Sequence, residues 1–169
     1  MAHSEQDVLR LFDEHHLPLY RFAWRLMGSA ADAEDAVQEA FLGLLRPECA
    51  YDMERSGIRT YLFGAVRNQC LKRLRRRIDA GQTETADGRT PESELLRGEV
   101  ADAVAAAIAA LPETQREVLI LAHYEQLPLA EIAEITRLEI GAVKSRLQRA
   151  RATLREVLAA YAPVENTHE

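Results

Sequence analysis

The sequence has few of the features that mark exported, membrane or metal-binding proteins. Its 2 cysteines, Cys49 and Cys70, do not form a C-x-x-C motif, and its 5 histidines are scattered along the chain. No apolar run is long enough to span a bilayer, and the N-terminus has neither the basic start nor the apolar centre of a signal peptide. We therefore expect reduced thiols, a cytoplasmic location and no metal site.

Signatures of catalysis are missing as well. The sequence contains no G-x-x-x-x-G-K loop for nucleotide phosphates, and no serine, histidine and aspartate at a recognisable spacing. We expect the protein to bind no cofactor and not to be an enzyme. What is present is typical of a soluble globular protein, with 47% hydrophobic and 28% charged residues. The 169 residues suffice for one ordinary domain or two small ones.

Acidic residues are absent from two segments of an otherwise acidic chain. The whole sequence has 21 Lys and Arg against 27 Asp and Glu, a net charge of −6. Residues 55–78 hold 8 basic side chains and residues 141–155 hold 5, and neither segment contains an acid. The other segments are acidic, with net charges of −7 over 1–54, −9 over 79–140 and −3 over 156–169. A solvated helix face usually mixes both signs, so these two blocks predict two sites for an anionic partner.

Apolar residues recur at three- and four-residue steps through most of the chain, which predicts an all-α fold. In the first such segment they are Val8, Leu9, Phe12, Leu19, Phe22, Ala23 and Leu26. Gly28 indicates a helix end, and Ser29 or Asp32 can cap the helix that follows, whose buried stripe would be Ala33, Val37, Ala40, Phe41, Leu44 and Leu45. Residues 79–99 are poor in bulky apolar side chains and are predicted to be a flexible linker. We therefore expect two small helical domains, 1–78 and 100–161, and a tail over 162–169.

The segment "PLAEIAEITRLEIGAVKSRLQRARATL" contains a short helix, a tight break and a longer basic helix. The longer helix has an apolar stripe formed by Val143, Leu147, Ala150, Leu154 and Leu158, and its opposite side is polar. That shape is typical of the recognition helix of a helix-turn-helix, which enters the major groove of DNA. The plainer alternative is a C-terminal helix with a basic face. In the turn, Arg137 lies where a left-handed glycine would be easiest, at a cost of about 1 kcal/mol.

Both halves of the sequence resemble one family, the extracytoplasmic-function group of bacterial RNA polymerase sigma factors. "DAEDAVQEAFLGLL" is similar to the helix with which the family binds core polymerase, D-x-x-Q-E-x-F. "IRTYLFGAVRNQCLKRLRRR" is similar to its promoter −10 segment. "LPETQREVLIL" and "EIAEI", followed by "GAVKSRLQRAR", are similar to its −35 domain. The resemblance covers residues 7–78 and 100–158, and it implies a sigma region 2-like bundle and a sigma region 4-like helix-turn-helix.

The resemblance also implies partners: core RNA polymerase, promoter DNA and an anti-sigma factor. The residues implied to bind a basic coiled coil of the polymerase are Asp32, Asp35, Gln38, Glu39 and Phe41. Those implied at the −10 element are Tyr51, Arg59, Arg67, Asn68, Arg73 and Arg76. Asn68 would read a base, and Tyr51 lies in loop 46–57, which would receive a flipped base. Those implied at the −35 element are Lys144, Ser145, Arg146, Gln148, Arg149 and Arg151. Among them, Ser145, Gln148 and Arg149 would face bases, and the other three would contact the backbone.

The sequence departs from the family pattern at three positions. Tyr61 stands where the −10 helix often has Trp, Lys72 where it often has Asp or Asn, and Ala142 where Thr is usual. These changes bear on the −10 preference more than on the fold. Each of three features also has a plainer interpretation. The run Arg75–Arg77 can equally be a nonspecific phosphate patch, and Tyr51 can be an ordinary aromatic residue of a loop. Residues 32–39 can be only the acidic start of a helix.

Two other classes of function remain open from the sequence. A stand-alone helix-turn-helix regulator would explain residues 100–158 but would leave the basic block at 55–78 without a role. A nucleic-acid-processing enzyme could hold a metal at 32–39. However, those carboxylates spread around the helix instead of converging.

Overall fold

The computed structural model describes residues 4–49, 51, 57–82 and 98–161. These residues form seven α-helices and no β-strand: α1 (Glu5–Met27), α2 (Ala30–Leu44), α3 (Ile58–Asp79), α4 (Glu99–Ala109), α5 (Glu113–His123), α6 (Leu129–Thr136) and α7 (Ile140–Val157). A short 3-10 helix follows at Ala159–Tyr161. The all-α class predicted from the sequence is confirmed. We call α1–α3 the N-terminal unit and α4–α7 the C-terminal unit.

The break between α1 and α2 follows from two small residues. Gly28 adopts a left-handed conformation with φ of 68°, and its N–H donates to the carbonyl of Trp24 at 2.7 Å. Ser29 then caps α2, because its Oγ accepts a hydrogen bond from the N–H of Asp32 at 3.3 Å. Ser29 is thus the cap, and Asp32 lies in the first turn of α2, where a carboxylate complements the helix dipole.

The core of the N-terminal unit comes from one face of each of its three helices, which contact one another pairwise. Phe22 of α1 and Phe63 of α3 meet edge to face with ring centroids 5.5 Å apart. The predicted stripes are largely buried, but two of their members are not: Leu9 is 59% exposed and Leu45 is 37% exposed. Both lie at the border of a stripe, where neither side chain is covered by another described helix.

The C-terminal unit contains the helix-turn-helix, formed by α6 and α7. Arg137 ends α6 with φ of 56° and ψ of 40°, so a non-glycine residue occupies the left-handed position. Its N–H donates to the carbonyl of Glu134 at 3.3 Å. Ile132 and Val143 are fully buried where the two helices pack together. The turn is therefore held in shape by packing on both sides, at a local cost of about 1 kcal/mol for the left-handed residue.

The two units pack against each other, and their buried residues form one continuous cluster. Helix α1 contacts α5, and α3 contacts α6. Arg116 of α5 donates from Nη1 to the carbonyl of Leu26 at 2.8 Å and from Nη2 to the carbonyl of Leu111 at 2.9 Å. Because Leu26 is in the last turn of α1 and Leu111 lies two residues before α5, one guanidinium joins the two units.

The domain limits 1–78 and 100–161 remain predictions. Helix α3 runs to Asp79 and α4 begins at Glu99, close to those limits. Most of the predicted linker, at residues 83–97, and the predicted tail over 162–169 lie outside the described residues.

Candidate nucleic-acid interface

Helix α7 presents a polar face to solvent. Its apolar side is buried through Val143, Leu147 and Ala150, which turns the opposite side outward. Ser145, Gln148 and Arg149, the predicted base readers, are all exposed. This arrangement lets three neighbouring side chains reach one groove of a duplex without moving the core.

The predicted backbone contacts on α7 differ in their surroundings. Lys144 is exposed. Arg146 is partly buried, with its Nη1 3.7 Å from Oε1 of Glu117. Arg151 is exposed and donates from Nε to Nε2 of His123 at 3.1 Å. Burial and the nearby Arg151 charge lower the pKa of His123, so the neutral ring that accepts this hydrogen bond is favoured.

The predicted DNA-contacting residues of helix α3 differ in their surroundings, and the C-terminal unit engages some of them. Arg59 donates from Nη2 to the carbonyl of Glu125 at 3.1 Å. Arg67 donates to both carboxylate oxygens of Glu117, at 2.6 Å from Nε and 3.2 Å from Nη2. Asn68 is exposed at the rim of a cavity of about 310 Å³, which is also lined by Arg137 of the helix-turn-helix.

The distal part of α3 is more open. Arg76 is exposed, and Arg73 is partly buried and donates to Oε1 of Gln69 at 3.3 Å. Arg77 donates to the carbonyl of Met27 at 3.2 Å and forms a close ion pair with Asp32. The basic run at the end of this helix therefore has one member that ties α3 to the start of α2, while Arg76 faces solvent.

Tyr61 of α3 lies beside Tyr51, which is in the loop before that helix. The rings of Tyr51 and Tyr61 are 4.9 Å apart, and the Tyr61 hydroxyl is 3.7 Å from Sγ of Cys49. Burial, with a smaller effect of Cys49, raises the pKa of Tyr61 to about 12. Tyr51 is half-buried, and most of the loop that would receive a flipped base, at residues 50 and 52–56, lies outside the described residues.

The polar residues of α2 that are predicted to bind polymerase fall into two groups. Asp35 and Gln38 are exposed, and Glu39 is partly exposed, with Oε2 3.4 Å from Nη2 of Arg46. Asp32 is instead occupied by its pair with Arg77. A partner that binds α2 therefore meets Asp35, Gln38 and Glu39 first.

Phe41 needs a correction. The sequence placed it among the polymerase-binding residues, but its side chain is only 4% exposed and packs edge to face on Phe12, with ring centroids 5.0 Å apart. It belongs to the core between α1 and α2, because its position on α2 faces inward. In this arrangement Phe41 supports the helix and does not present its ring to a partner.

Sequence reasoning missed the charged residues that join the two units. Glu117 is 1% exposed and pairs with Arg67, and Arg25 of α1 pairs with Glu125 across 3.4 Å and lies 4.2 Å over the Tyr124 ring. Burial lowers the pKa of Arg25 and raises that of Glu125. For both groups, the effect of desolvation on the pKa is larger than the opposing effect of the partner's charge. The available signal was an acid inside the apolar run "REVLILAH", which marks a buried charge that needs a partner.

Two negative findings apply to the described part of the chain. None of its helices combines the length and the hydropathy needed to cross a bilayer. The residues placed by the structure also contain no cluster of three or more His, Cys, Asp or Glu side chains arranged to hold a metal ion.

Family models match both units of the chain. "Sigma-70 region 2" matches residues 11–78 and "Sigma-70, region 4" matches residues 101–154. The chain is 30% identical to the ECF RNA polymerase sigma factor SigW of Bacillus subtilis, over 92% of this chain and 91% of that protein. It is 36% identical to the ECF RNA polymerase sigma factor SigL of Mycobacterium tuberculosis, over 93% and 92% of the two chains.

Solved structures agree with these matches. The sigma factor RpoE of Bartonella quintana, solved in complex with the anti-sigma factor NepR, is similar with a TM-score of 0.68 and 25% identity, over 94% of this chain and 98% of that one. CnrH, solved with the cytosolic domain of CnrY, has the same fold, with a TM-score of 0.71 at 23% identity over 94% and 92% of the chains. The chain therefore belongs to the ECF RNA polymerase sigma factors of the sigma-70 family. Because both units match, the stand-alone regulator is not favoured.

Proposed function

We propose that this sigma factor binds core RNA polymerase and directs transcription initiation by contacting promoter −10 and −35 elements with its two units. The N-terminal unit would use the surface of α3 at the −10 element, and the C-terminal unit would use α7 at the −35 element. The observation that carries the proposal is the pair of helices free of acids over 58–78 and 141–155, one in each family-matched unit. Each offers exposed cations to an anionic polymer.

Division of labour on α7 is supported by its geometry. Ser145, Gln148 and Arg149 share the exposed face, where side chains can reach base edges. Lys144 and Arg151 flank that face and are suited to phosphates, which position a protein on DNA without reading its sequence. On α3, Asn68 has an amide with two donors and an acceptor at the surface, which suits a base edge.

Other parts of the proposal concern partners and location. An anti-sigma factor is proposed as a partner because a structural relative was solved in complex with one. The polymerase would carry out the chemistry and the sigma factor would supply recognition, so no catalytic role is proposed for any residue of this chain. A cytoplasmic location follows from this role, since the polymerase and its promoters are there.

Docking of polymerase is proposed for α2, through the exposed Asp35 and the partly exposed Glu39. Replacing both by Lys should weaken binding to core polymerase and reduce promoter-dependent transcripts, because the change turns attraction to a basic coiled coil into repulsion. The matched control is the pair Asp13→Lys and Glu14→Lys on exposed positions of α1, which alters net charge by the same amount. Titration of labelled core polymerase measures the affinity.

The central experiment reconstitutes the holoenzyme and selects transcribed promoters from a randomised library. A sigma factor yields transcripts that share two elements at a fixed spacing. A helix-turn-helix regulator acting alone would enrich one element and would leave transcription dependent on another factor. Equal core affinity of the Asp35/Glu39 variant and its control would refute docking through α2, whereas absence of promoter-dependent transcripts would refute the function.

A further inference from the structure

Glu117 is placed where it can hold two DNA-contacting arginines at once. It lies in α5, is 1% exposed, and accepts two hydrogen bonds from Arg67 of α3, at 2.6 and 3.2 Å. Nη1 of Arg146 on α7 lies 3.7 Å from its Oε1. One carboxylate therefore binds a proposed −10 residue from one unit and a proposed −35 residue from the other.

This carboxylate occupies the place that a DNA phosphate would need. The Arg67 guanidinium presents two of its N–H groups to Glu117 in the two-pronged geometry with which arginine also binds phosphate. The same donors cannot serve both anions. While Glu117 is in place, Arg67 is withdrawn from DNA, and its side chain is only 13% exposed.

The C-terminal unit covers the two proposed DNA surfaces unequally. On α3, Arg59 is engaged by Glu125, and Thr60 donates from Oγ1 to Glu131 at 3.4 Å, so the start of the −10 surface faces protein. On α7, Lys144 and Arg149 are exposed to solvent. The C-terminal unit therefore engages Arg59, Thr60 and Arg67 of the −10 surface, while Asn68 and Arg76 stay exposed, and it leaves most of the −35 surface open.

Separation of the units would not strand a buried charge, which is the usual penalty for breaking such a pair. Arg146 belongs to the same unit as Glu117 and is already within ion-pair distance. When Arg67 leaves, Glu117 keeps Arg146 and gains access to water. Glu117 therefore has a partner in both the packed and the separated arrangement, as a reversible contact requires.

We propose that Glu117 is a latch that keeps Arg67 of the −10 surface away from DNA in the unbound chain while the −35 helix stays accessible. This inference rests on the proposed function, because it takes Arg67, on the α3 surface proposed for the −10 element, to bind DNA. Binding of core polymerase, by holding the two units apart, would release Arg67. The unbound chain should then recognise −35 duplex but bind a −10 single strand poorly.

The test uses the full chain without polymerase and two fluorescent probes from a promoter selected with the holoenzyme, its −35 duplex and its −10 non-template strand. Glu117→Gln keeps the side-chain shape but removes the charge that holds Arg67. We expect its affinity for the −10 strand to rise about ten-fold, the change produced by a packed state weaker by about 1.4 kcal/mol. Within the holoenzyme, the variant and the wild type should bind the strand equally.

Two further variants distinguish separation of the two units from an effect of net charge on DNA binding. Glu156→Gln removes one charge from an exposed position of α7 and should leave −10 binding as in the wild type. Arg25→Met weakens the packing of the units at Glu125, away from Glu117, and should also raise −10 affinity. Circular dichroism verifies that each variant is folded, and solution scattering should show a larger radius of gyration for the Glu117 and Arg25 variants.

The results divide clearly. A folded Glu117→Gln chain with wild-type −10 affinity overturns the latch, as does an equal gain for Glu156→Gln, which would be a bulk charge effect. If the wild-type holoenzyme binds the −10 strand while no unbound variant gains affinity, the latch is wrong and the proposed function stands. If the holoenzyme itself ignores the −10 strand, the proposed function fails and the latch fails with it.

Discussion

Arg116 offers the most direct test of how the two units are joined. Its guanidinium donates to the carbonyls of Leu26 and Leu111, at 2.8 and 2.9 Å. Leu26 is in the last turn of α1, where carbonyls lack partners within the helix and the dipole favours a cation. Burial lowers the pKa of Arg116. Removing the charged guanidinium from water therefore offsets part of the stabilisation that its hydrogen bonds provide.

Replacing Arg116 by Met keeps an unbranched apolar stem but removes both donors. Each buried carbonyl left without a hydrogen-bond partner costs about 1–3 kcal/mol of stability. Removing the buried charge of Arg116 offsets part of the total for the two carbonyls. We expect a loss of about 2–4 kcal/mol in the free energy of unfolding, roughly 4–16 °C in Tm for a chain of this size. Because one of the two carbonyls belongs to the other unit, the loss should also uncouple the units.

Urea and thermal unfolding, followed by circular dichroism and calorimetry, measure both effects. The variant should unfold in two transitions, or at least with a calorimetric enthalpy above the van't Hoff value. Arg155→Met makes the same substitution at an exposed position of α7 and should stay within about 0.5 kcal/mol of the wild type. Equal stability of the two variants, with one shared transition, would refute the account of Arg116 as the residue that joins the units.

Three further outcomes can be measured. Arg149→Ala should reduce the discrimination between bases at one or two −35 positions by about 1–3 kcal/mol. Lys144→Ala should instead weaken binding to all duplexes alike and lower the salt dependence of the binding constant by about 0.9 in log–log slope. Identical losses of affinity in a library titration would refute the separation of roles. Arg137→Gly should raise the free energy of unfolding by about 0.5–1 kcal/mol, since it removes left-handed strain, and an unchanged urea midpoint would contradict this. The lowered pKa of His123 means that the unfolded chain binds its proton first, so stability should fall as pH drops below about 6.5, and less so in His123→Gln.

The helices and their order were predictable because each depends on local features. Gly28 and Ser29 end one helix and start the next through backbone and side-chain chemistry that needs no tertiary context. The left-handed turn at Arg137 was equally visible from the spacing of the helix-turn-helix. The burial of Phe41 follows from the same periodicity, which placed it in the apolar stripe of α2; assigning it to the partner surface followed the family motif instead.

The contacts between the units could not be predicted from periodicity. Pairing of Arg67 with Glu117 joins residues 50 positions apart, and the pair of Arg25 with Glu125 spans 100 positions. A basic block in a sequence indicates an anionic partner but does not distinguish DNA from an acid of the same chain. For Arg67 the structure supplies a carboxylate of the same chain at the site where the proposed function requires a phosphate.

The chemistry of the interface between the units explains how they can pack specifically and still separate. Buried ion pairs contribute little net stability, since desolvation offsets most of their attraction. The opposite pKa shifts of Arg25 and Glu125, both toward the neutral forms, indicate that this pair is in that regime. An interface of the same area made from leucines would hold the units together more tightly and would impose no geometry on Arg67. Charged contacts instead fix which side chains meet, and water can replace each of them when the units part. For the release of Arg67 that we propose, such contacts are better suited than a larger apolar interface.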